Sequence, residues 1–409
     1  MARVRNAFRR LNLFVFVSLA FASMSAAGAA QTGDDFAEWL AEVKREAAAR
    51  GISAQTIEKT LGDLEPQTRV LELDQRQPEF TVTFWRYISR AVSDPRIERG
   101  RELLARHGPL LRRIQARYGV QPRFLVALWG LESNFGDNMG GFPVVAALAT
   151  LAFDPRRGGF FRGELFKALE IVDQGHIAAE KMVGSWAGAM GQVQFLPSTF
   201  QRHAIDQDGD GRRDIWNSVP DALGSAANYL RAIGWQGDEL WGREVRVPAD
   251  FDLNLATLET RKPVREWAKL GVRRADGRAL PDADIGGSLL LPGGHRGPAF
   301  LVYRNYDAIL EWNRSLLYAL AVGILSDRIA DRAALVAQQP ANERPLSRAE
   351  VEEMQSLLSR LGYDIGEVDG VVGAQTRAAL RRFQQSANLP PDGYPTPQVL
   401  DHLRRSESP

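Results

Sequence analysis

The spacing of apolar and polar residues predicts a mainly helical protein interrupted by one strand-rich stretch. Residues 36–51 (FAEWLAEVKREAAARG) place Phe36, Leu40 and Val43 close to helical spacing, and Gly51 supplies a stop. Residues 96–119 read as one or two helices broken at Gly108–Pro109. From 121 to 235, strong helical patterns alternate with Gly-rich turns. Between 243 and 305 the apolar runs shorten, Pro and Gly increase, and REVRVP and GSLLLP read as short strands. This predicts an insertion or small subdomain. The run from Asn305 to Ile329 predicts one long helix, apolar enough to lie inside the main domain. Periodicity fades over 331–346, where Pro340 and Pro345 mark a linker. A separate small unit follows, with Asp369–Gly370 and Asp392–Gly393 as turns between short helices. The expected fold class is mainly α (α+β), with a small strand-containing subdomain and a small helical C-terminal domain. The expected boundaries are 1–30 for a signal peptide, 34–332 for the main domain, 333–346 for the linker and 347–405 for the C-terminal unit.

The N-terminus changes the setting. Arg3, Arg5, Arg9 and Arg10 precede an apolar run from Leu11 to Met24, and Ala27-Gly28-Ala29 has the A-x-A form of a cleavage site. The run is shorter than the ~20 residues that span a bilayer, so a cleaved secretory signal is expected over a retained anchor. The chain has no Cys, which excludes disulfides, thiolate metal sites, a cysteine nucleophile and a lipidated N-terminal Cys. Export without disulfides fits a bacterial periplasm. With 44% hydrophobic and 25% charged residues, 409 residues can bury a large core in two or three domains. A net charge of +1 gives no global reason to bind nucleic acid, and the five His are too scattered to suggest a histidine metal site.

Three segments carry candidate chemistry. In QPRFLVALWGLESNFGDNMGG, Pro122 suits a first helical turn, and Phe124, Leu125, Leu128 and Trp129 make one apolar face. Glu132 projects from that face at the helix C-terminus, where Asn134 and Gly136 end the pattern. Apolar surroundings and the negative helix end both disfavour its carboxylate, which would raise its pKa into the range of a general acid. A structural Glu that caps or pairs with an Arg is the competing reading. In GSWAGAMGQVQFLPSTFQRHA, Gly184, Gly188 and Gly191 accompany Ser185, Gln192 and Gln194. Small residues with amides, hydroxyls and aromatic rings suit a flat sugar, and equally suit tight packing. In DQDGDGRRDIWNSVPDALG, Asp206, Asp208 and Asp210 take positions 1, 3 and 5 of an EF-hand-type loop, Gly211 the turn, and the Arg212 carbonyl position 7. Position 12 is Asn217, so Asp214 or Asp221 must close a Ca2+ shell. Three carboxylates so close repel without a cation.

In this order the three sites resemble the membrane-bound lytic murein transglycosylase B family. The resemblance rests on LESNFG at 131–136, GSWAGAMGQVQFLPSTF at 184–200, the acidic stretch at 206–235 and NYDAILEWNRSLLYALAV at 305–322, and covers roughly residues 35–330. It implies a lysozyme-like helical catalytic domain with a deep groove. It implies Glu132 as the sole catalytic acid/base, with Ser185, Gln194, Tyr229 and Asn313 lining the groove. It also favours Asp221 over Asp214 as the calcium ligand. The absence of Cys means that a lipid anchor does not carry over. The C-terminal unit resembles the peptidoglycan-binding type 1 domain through Gln355, Leu361-Gly362-Tyr363, Asp369-Gly370, Gly373, Thr376, Phe383-Gln384 and Asp392-Gly393, which implies a small three-helix C-terminal domain. The implied activity is non-hydrolytic cleavage of the MurNAc–GlcNAc bond to 1,6-anhydro-MurNAc ends. A hydrolytic muramidase using the same Glu132 and a non-catalytic wall-binding scaffold are the alternatives. Expected partners are peptidoglycan glycan strands and proteins of cell-wall synthesis or turnover. The protein is expected to act as a monomer, with no nucleic acid and no organic cofactor.

Overall fold

The computed structural model describes residues 33–75, 82–155, 157–237, 239–340 and 344–407. The targeting segment read over 1–30 lies outside the described residues. Three helices open the chain, α1 (Gly33–Ala49), α2 (Ala54–Leu61) and α3 (Thr68–Gln75). They pack near the pair α8 (Val144–Phe153) and α9 (Gly158–Asp173). Ser53 caps α2, and the Asp173 carboxylate accepts from Thr56 Oγ1 at 2.7 Å, which fastens α2 to the end of α9. Next come α4 (Phe84–Ala91), α5 (Asp94–Arg106), α6 (Gly108–Tyr118) and α7 (Pro122–Ser133). The 96–119 pattern is thus two helices meeting at His107–Gly108, with Pro109 in the first turn of α6.

Helix α7 differs from its expected one-sided form. Every residue from Arg123 to Gly130 is buried, because α5, α6, α11 (Val219–Ala232) and α14 (Leu316–Ile329) surround it. A helix at the centre of a bundle is apolar all round. Arg123 is the polar member of that run. It pairs with Asp327 of α14, whose other oxygen accepts the Trp241 indole N–H at 2.9 Å. A buried pair of this kind locks α7 against α14, and breaking it costs about 3–5 kcal/mol.

The 243–305 stretch forms a five-stranded antiparallel sheet in the order β4-β6-β7-β3-β5. After a short antiparallel pairing of β1 (Phe142–Pro143) with β2 (Val183–Gly184) in the helical domain, the strands of this sheet are β3 (Gly242–Arg246), β4 (Arg261–Pro263), β5 (Arg273–Arg274), β6 (Gly286–Leu290) and β7 (Ala299–Val302), with α12 (Val264–Lys269) between β4 and β5. The register pairs Leu289 with Leu301 and Val245 with Ala299. Trp267, Leu289 and Leu301 form a core separate from that of the helical domain.

The single helix expected over 305–329 is two helices, α13 (Arg304–Trp312) and α14, bent by 120°. The break has a local cause. Asn313 Oδ1 accepts from Ser315 N at 3.1 Å and Ser315 Oγ accepts from Tyr318 N at 3.2 Å, so side chains replace the helical backbone bonds there. Among the described residues no single helix is long and apolar enough to cross a membrane.

The C-terminal unit has helices α15 (Arg348–Arg360), α16 (Ala374–Ser386) and α17 (Pro397–Glu407) around its own core. Its two Asp-Gly turns are held alike. Gln355 bonds Asp369 Oδ1 (2.8 Å) and the Gly370 N–H (2.8 Å); Gln384 bonds Asp392 Oδ1 (2.8 Å) and the Gly393 N–H (2.8 Å). The second turn also docks on the sheet subdomain. Asp392 Oδ2 accepts the His295 backbone N–H at 2.9 Å and lies 2.6 Å from its Nδ1. Arg381 and Gln385 of α16 donate to the Ala256 carbonyl (3.0 Å) and to Asn254 Oδ1 (2.7 Å). The preceding segment is tied down as well, since Val336 N and Ala337 N donate to the Glu244 carboxylate at 2.7 and 2.8 Å.

Candidate active site

Glu132 is the penultimate residue of α7, and the chain leaves the helix by a tight left-handed exit. Asn134 and Phe135 both have positive φ (50° and 64°), which turns the Phe135 ring back over Gly130, where a Cβ would strike it. Ser133 Oγ accepts from Gly136 N at 2.9 Å and donates to the Gln192 carbonyl at 2.7 Å. The end of α7 is therefore stitched to the Gly-rich segment, and the Glu132 backbone has little freedom.

The Glu132 side chain is half-buried, with protein packed densely around its carboxylate. Burial pushes its pKa from the ordinary 4.5 up to about 7, against the opposing pull of hydrogen bonds from Tyr318 and Trp312. The Trp312 indole N–H donates to Oε1 at 2.7 Å, and the Tyr318 hydroxyl donates to the same oxygen. The Tyr318 phenol is held well above its usual range by burial and by the facing Glu132, so it stays a neutral donor. No Arg partner of the kind the structural reading required is found for Glu132 among the described residues. Both donors fall on Oε1.

Trp312 and Tyr318 were not legible as site residues in the sequence. They flank the break between α13 and α14, and they meet Glu132 across 180 and 186 residues. Trp312 also belongs to an aromatic group. Its ring lies 5.1 Å from Tyr229 and 5.4 Å from Phe195, and these two meet edge-on at 5.6 Å. Tyr229 thus stands beside the ring that holds Glu132. Asn313, the next residue, is exposed at the break.

The Gly-rich segment resolves toward packing at several positions. A Cβ on Gly184 would overlap the Ala189 carbonyl, and one on Gly191 would lie 2.7 Å from Ile215. Gln192 is buried, and its amide donates to the Trp216 carbonyl at 3.0 Å, so it braces the segment instead of reading a ligand. Ser185 Oγ accepts from Ala189 N at 3.0 Å, while its hydroxyl hydrogen remains available. Gln194 sits at a positive φ of 49° and donates its amide to the Met139 and Gly191 carbonyls at 3.0 and 2.9 Å, leaving its Oε1 to accept.

Between α10 (Pro197–His203) and α11, the acidic loop gathers four carboxylates. Oxygens of Asp206, Asp208, Asp210 and Asp221 lie within 4.8 Å of one another, three of these residues exposed and Asp221 fully buried. Asp221 also organises the loop, accepting from Gln207 N and Asp214 N at 2.7 and 2.8 Å. Asp214 lies outside the cluster and caps the following turn, accepting from Trp216 N and Asn217 N at 3.0 and 2.9 Å. Arg212 follows Asp210 in the loop and donates its N–H to the Asp210 carboxylate at 2.8 Å.

Comparison with known proteins supplies the deciding observation. Residues 35–327 match the family described as the Transglycosylase SLT domain. The chain belongs to this family. The transglycosylase also carries a match over residues 347–403 to the family described as a putative peptidoglycan binding domain. It is 30% identical over 295 residues to the membrane-bound lytic murein transglycosylase B of Escherichia coli, covering 68% of this chain and 79% of that protein. It is similar to the crystal structure of SltB3 from Pseudomonas aeruginosa in complex with NAG-anhNAM-pentapeptide, at 47% identity and a TM-score of 0.87, over 90% of this chain and 99% of that one. It is also similar to the Escherichia coli lytic transglycosylase Slt35 in complex with calcium, at 28% identity and a TM-score of 0.62, over 72% of this chain and 92% of that one. The activity is that of a lytic transglycosylase on peptidoglycan, and the architecture is the lysozyme-like one that the resemblance implied.

Proposed function

We propose that the enzyme cleaves the β-1,4 bond between N-acetylmuramic acid and N-acetylglucosamine without water, with Glu132 as its single acid/base. The observation that carries this reading is one carboxyl poised at about pH 7 beside two neutral donors, with no carboxylate among its hydrogen-bonding partners in the described residues. Most glycosidases flank the bond with two carboxyl groups; a lone one must act twice. Protonated Glu132 gives its proton to the glycosidic oxygen as the C1–O bond breaks. The substrate's own N-acetyl group and nearby dipoles stabilise the oxocarbenium-like centre. The resulting carboxylate, held by Trp312 and Tyr318, then takes the proton from the C6 hydroxyl of the same muramic acid as O6 bonds to C1. A pKa near 7 suits both halves, since each form is well populated at neutral pH. The anhydro sugar in the SltB3 complex supports transglycosylation over hydrolysis.

Ser185, Gln194, Tyr229 and Asn313 are the groove residues in this reading. Ser185 offers a hydroxyl hydrogen, Gln194 an amide oxygen, and Asn313 an exposed amide beside Trp312. The calcium reading is supported by the donor set of Asp206, Asp208, Asp210 and Asp221, with the Arg212 carbonyl, and by the calcium complex of Slt35. The ion would neutralise crowded carboxylates and fix the link between α10 and α11. The domain plan of 34–332, 333–346 and 347–405 then joins a catalytic domain to a wall-binding unit, in an enzyme exported to the periplasm.

Mass spectrometry of digested sacculi tests the reaction. Products one water lighter than hydrolytic ones, with no reducing muramic ends, are expected; reducing ends would sink transglycosylation. Glu132→Gln should lower turnover by about 10²–10⁴-fold or more, and full activity in that variant would remove Glu132 from the chemistry.

A further inference from the structure

We infer that His203 is a positioning residue for Glu132, acting through the contacting rings of Tyr229 and Trp312. The inference rests on Glu132 being the acid/base. Trp312 is the last residue of α13, next to the exposed Asn313, so the helix alone does not fix its ring. The ring is fixed by its neighbours. Phe195 and Tyr229 touch it and each other, forming three rings in mutual contact. Tyr229 in turn lies against the His203 imidazole, with centroids 4.7 Å apart and planes 28° from parallel. This is the closest and most nearly parallel pair of the group.

His203 is itself well anchored. It ends α10, and its carbonyl accepts the Asn228 side-chain amide at 2.9 Å, one residue before Tyr229 on α11. The Asn228 side chain thereby joins α11 to the end of α10 at the level of the stack. Burial, and then the neighbouring Arg202 charge, hold the imidazole below its ordinary range, so a neutral flat ring meets Tyr229. What His203 contributes is a surface of the right shape, and an offset stack of this kind restrains both rings. If Tyr229 tilted, Trp312 would lose one wall of its slot. Its N–H would then drift from Oε1, and a misplacement of about 1 Å at such a contact is enough to slow catalysis strongly.

The test compares His203→Gln, which keeps polarity but removes the ring, with His203→Phe, which keeps the ring. Both are purified and checked for wild-type circular dichroism, and turnover on sacculi is followed against pH. His203→Gln is expected to lower kcat about tenfold with KM little changed. The alkaline limb of its kcat profile should move upward, because Glu132 loses a donor that favours its carboxylate. Phenylalanine should recover most of the lost kcat and return the limb to its place. A His203→Gln enzyme with wild-type kcat and pH profile, or a His203→Phe enzyme as impaired as His203→Gln, would overturn the inference. Glu132→Gln run alongside separates the two claims. An active Glu132→Gln enzyme defeats the acid/base assignment, whereas an inactive one beside an unaffected His203→Gln defeats only the role of His203.

Discussion

Glu132 should destabilise the folded enzyme at neutral and alkaline pH, and its replacement by Gln should show this directly. An unfolded chain ionises this carboxyl near 4.5, and the folded enzyme near 7. Between those values the folded state keeps a proton that the unfolded state has released. Glu132 is therefore least costly below pH 4.5, and stability is lost progressively as the pH rises toward 7. A displacement of that size is worth roughly 3 kcal/mol at most, and groove water reduces it to about 1–3 kcal/mol. Glutamine is neutral throughout and keeps an oxygen for Trp312 and Tyr318, so it escapes the cost while matching the shape. Thermal melts of both proteins across about pH 4 to 8.5 should superimpose at the acid end. At the alkaline end the variant should melt higher by roughly 2–6 °C, at about 2 °C per kcal/mol for a domain of this size. The general acid sensitivity of the fold cancels in the difference. A gap that stays constant with pH, or that opens toward acid, would mean that Glu132 is not held protonated by its surroundings.

Tyr318→Phe removes one donor to the carboxylate without changing the ring. A bond to a charged group is worth about 1.5–3 kcal/mol, so the alkaline limb of the kcat profile should rise by about one to two pH units; an unmoved limb would show that the phenol does not act on Glu132. Calcium should raise the melting temperature of the wild-type enzyme relative to chelator, by an amount equivalent to about 2.7 kcal/mol at a hundredfold excess over Kd. Asp221→Asn should abolish that rise while Asp214→Asn keeps it, and the reverse pattern would reassign the closing ligand.

What could be read from the sequence was whatever its local pattern encodes. The span of α7, its start at Pro122 and its left-handed stop at Asn134 follow from residues within one turn of each other. The D-x-D-x-D-G run places three carboxylates by spacing alone, and the structure adds the buried Asp221 from the next helix. The break at 313–315 was hidden because Asn313 and Ser315 sit inside an apolar run whose periodicity continues on both sides. Missing the break also hid the partners of Glu132, since Trp312 and Tyr318 looked like two more core positions of one helix. Likewise the sequence leaves Gln192 open between reading a sugar and packing, because nothing nearby reveals that the Trp216 carbonyl accepts its hydrogen bond. Contacts across nearly two hundred residues leave no trace in a window of fifteen.

The docking of the C-terminal unit alters how its presence should be weighed. A binding unit on a slack tether raises the local concentration of its substrate by an amount that depends on tether length. Here Glu244 pins the connecting segment, and Asp392, Arg381 and Gln385 seat the unit on the sheet subdomain. These bonds seat the unit against the sheet subdomain, so its link to the rest of the enzyme is more than the connecting chain. In the proposed reading, the surface around Asn254 and His295 takes part in placing wall contact relative to cleavage.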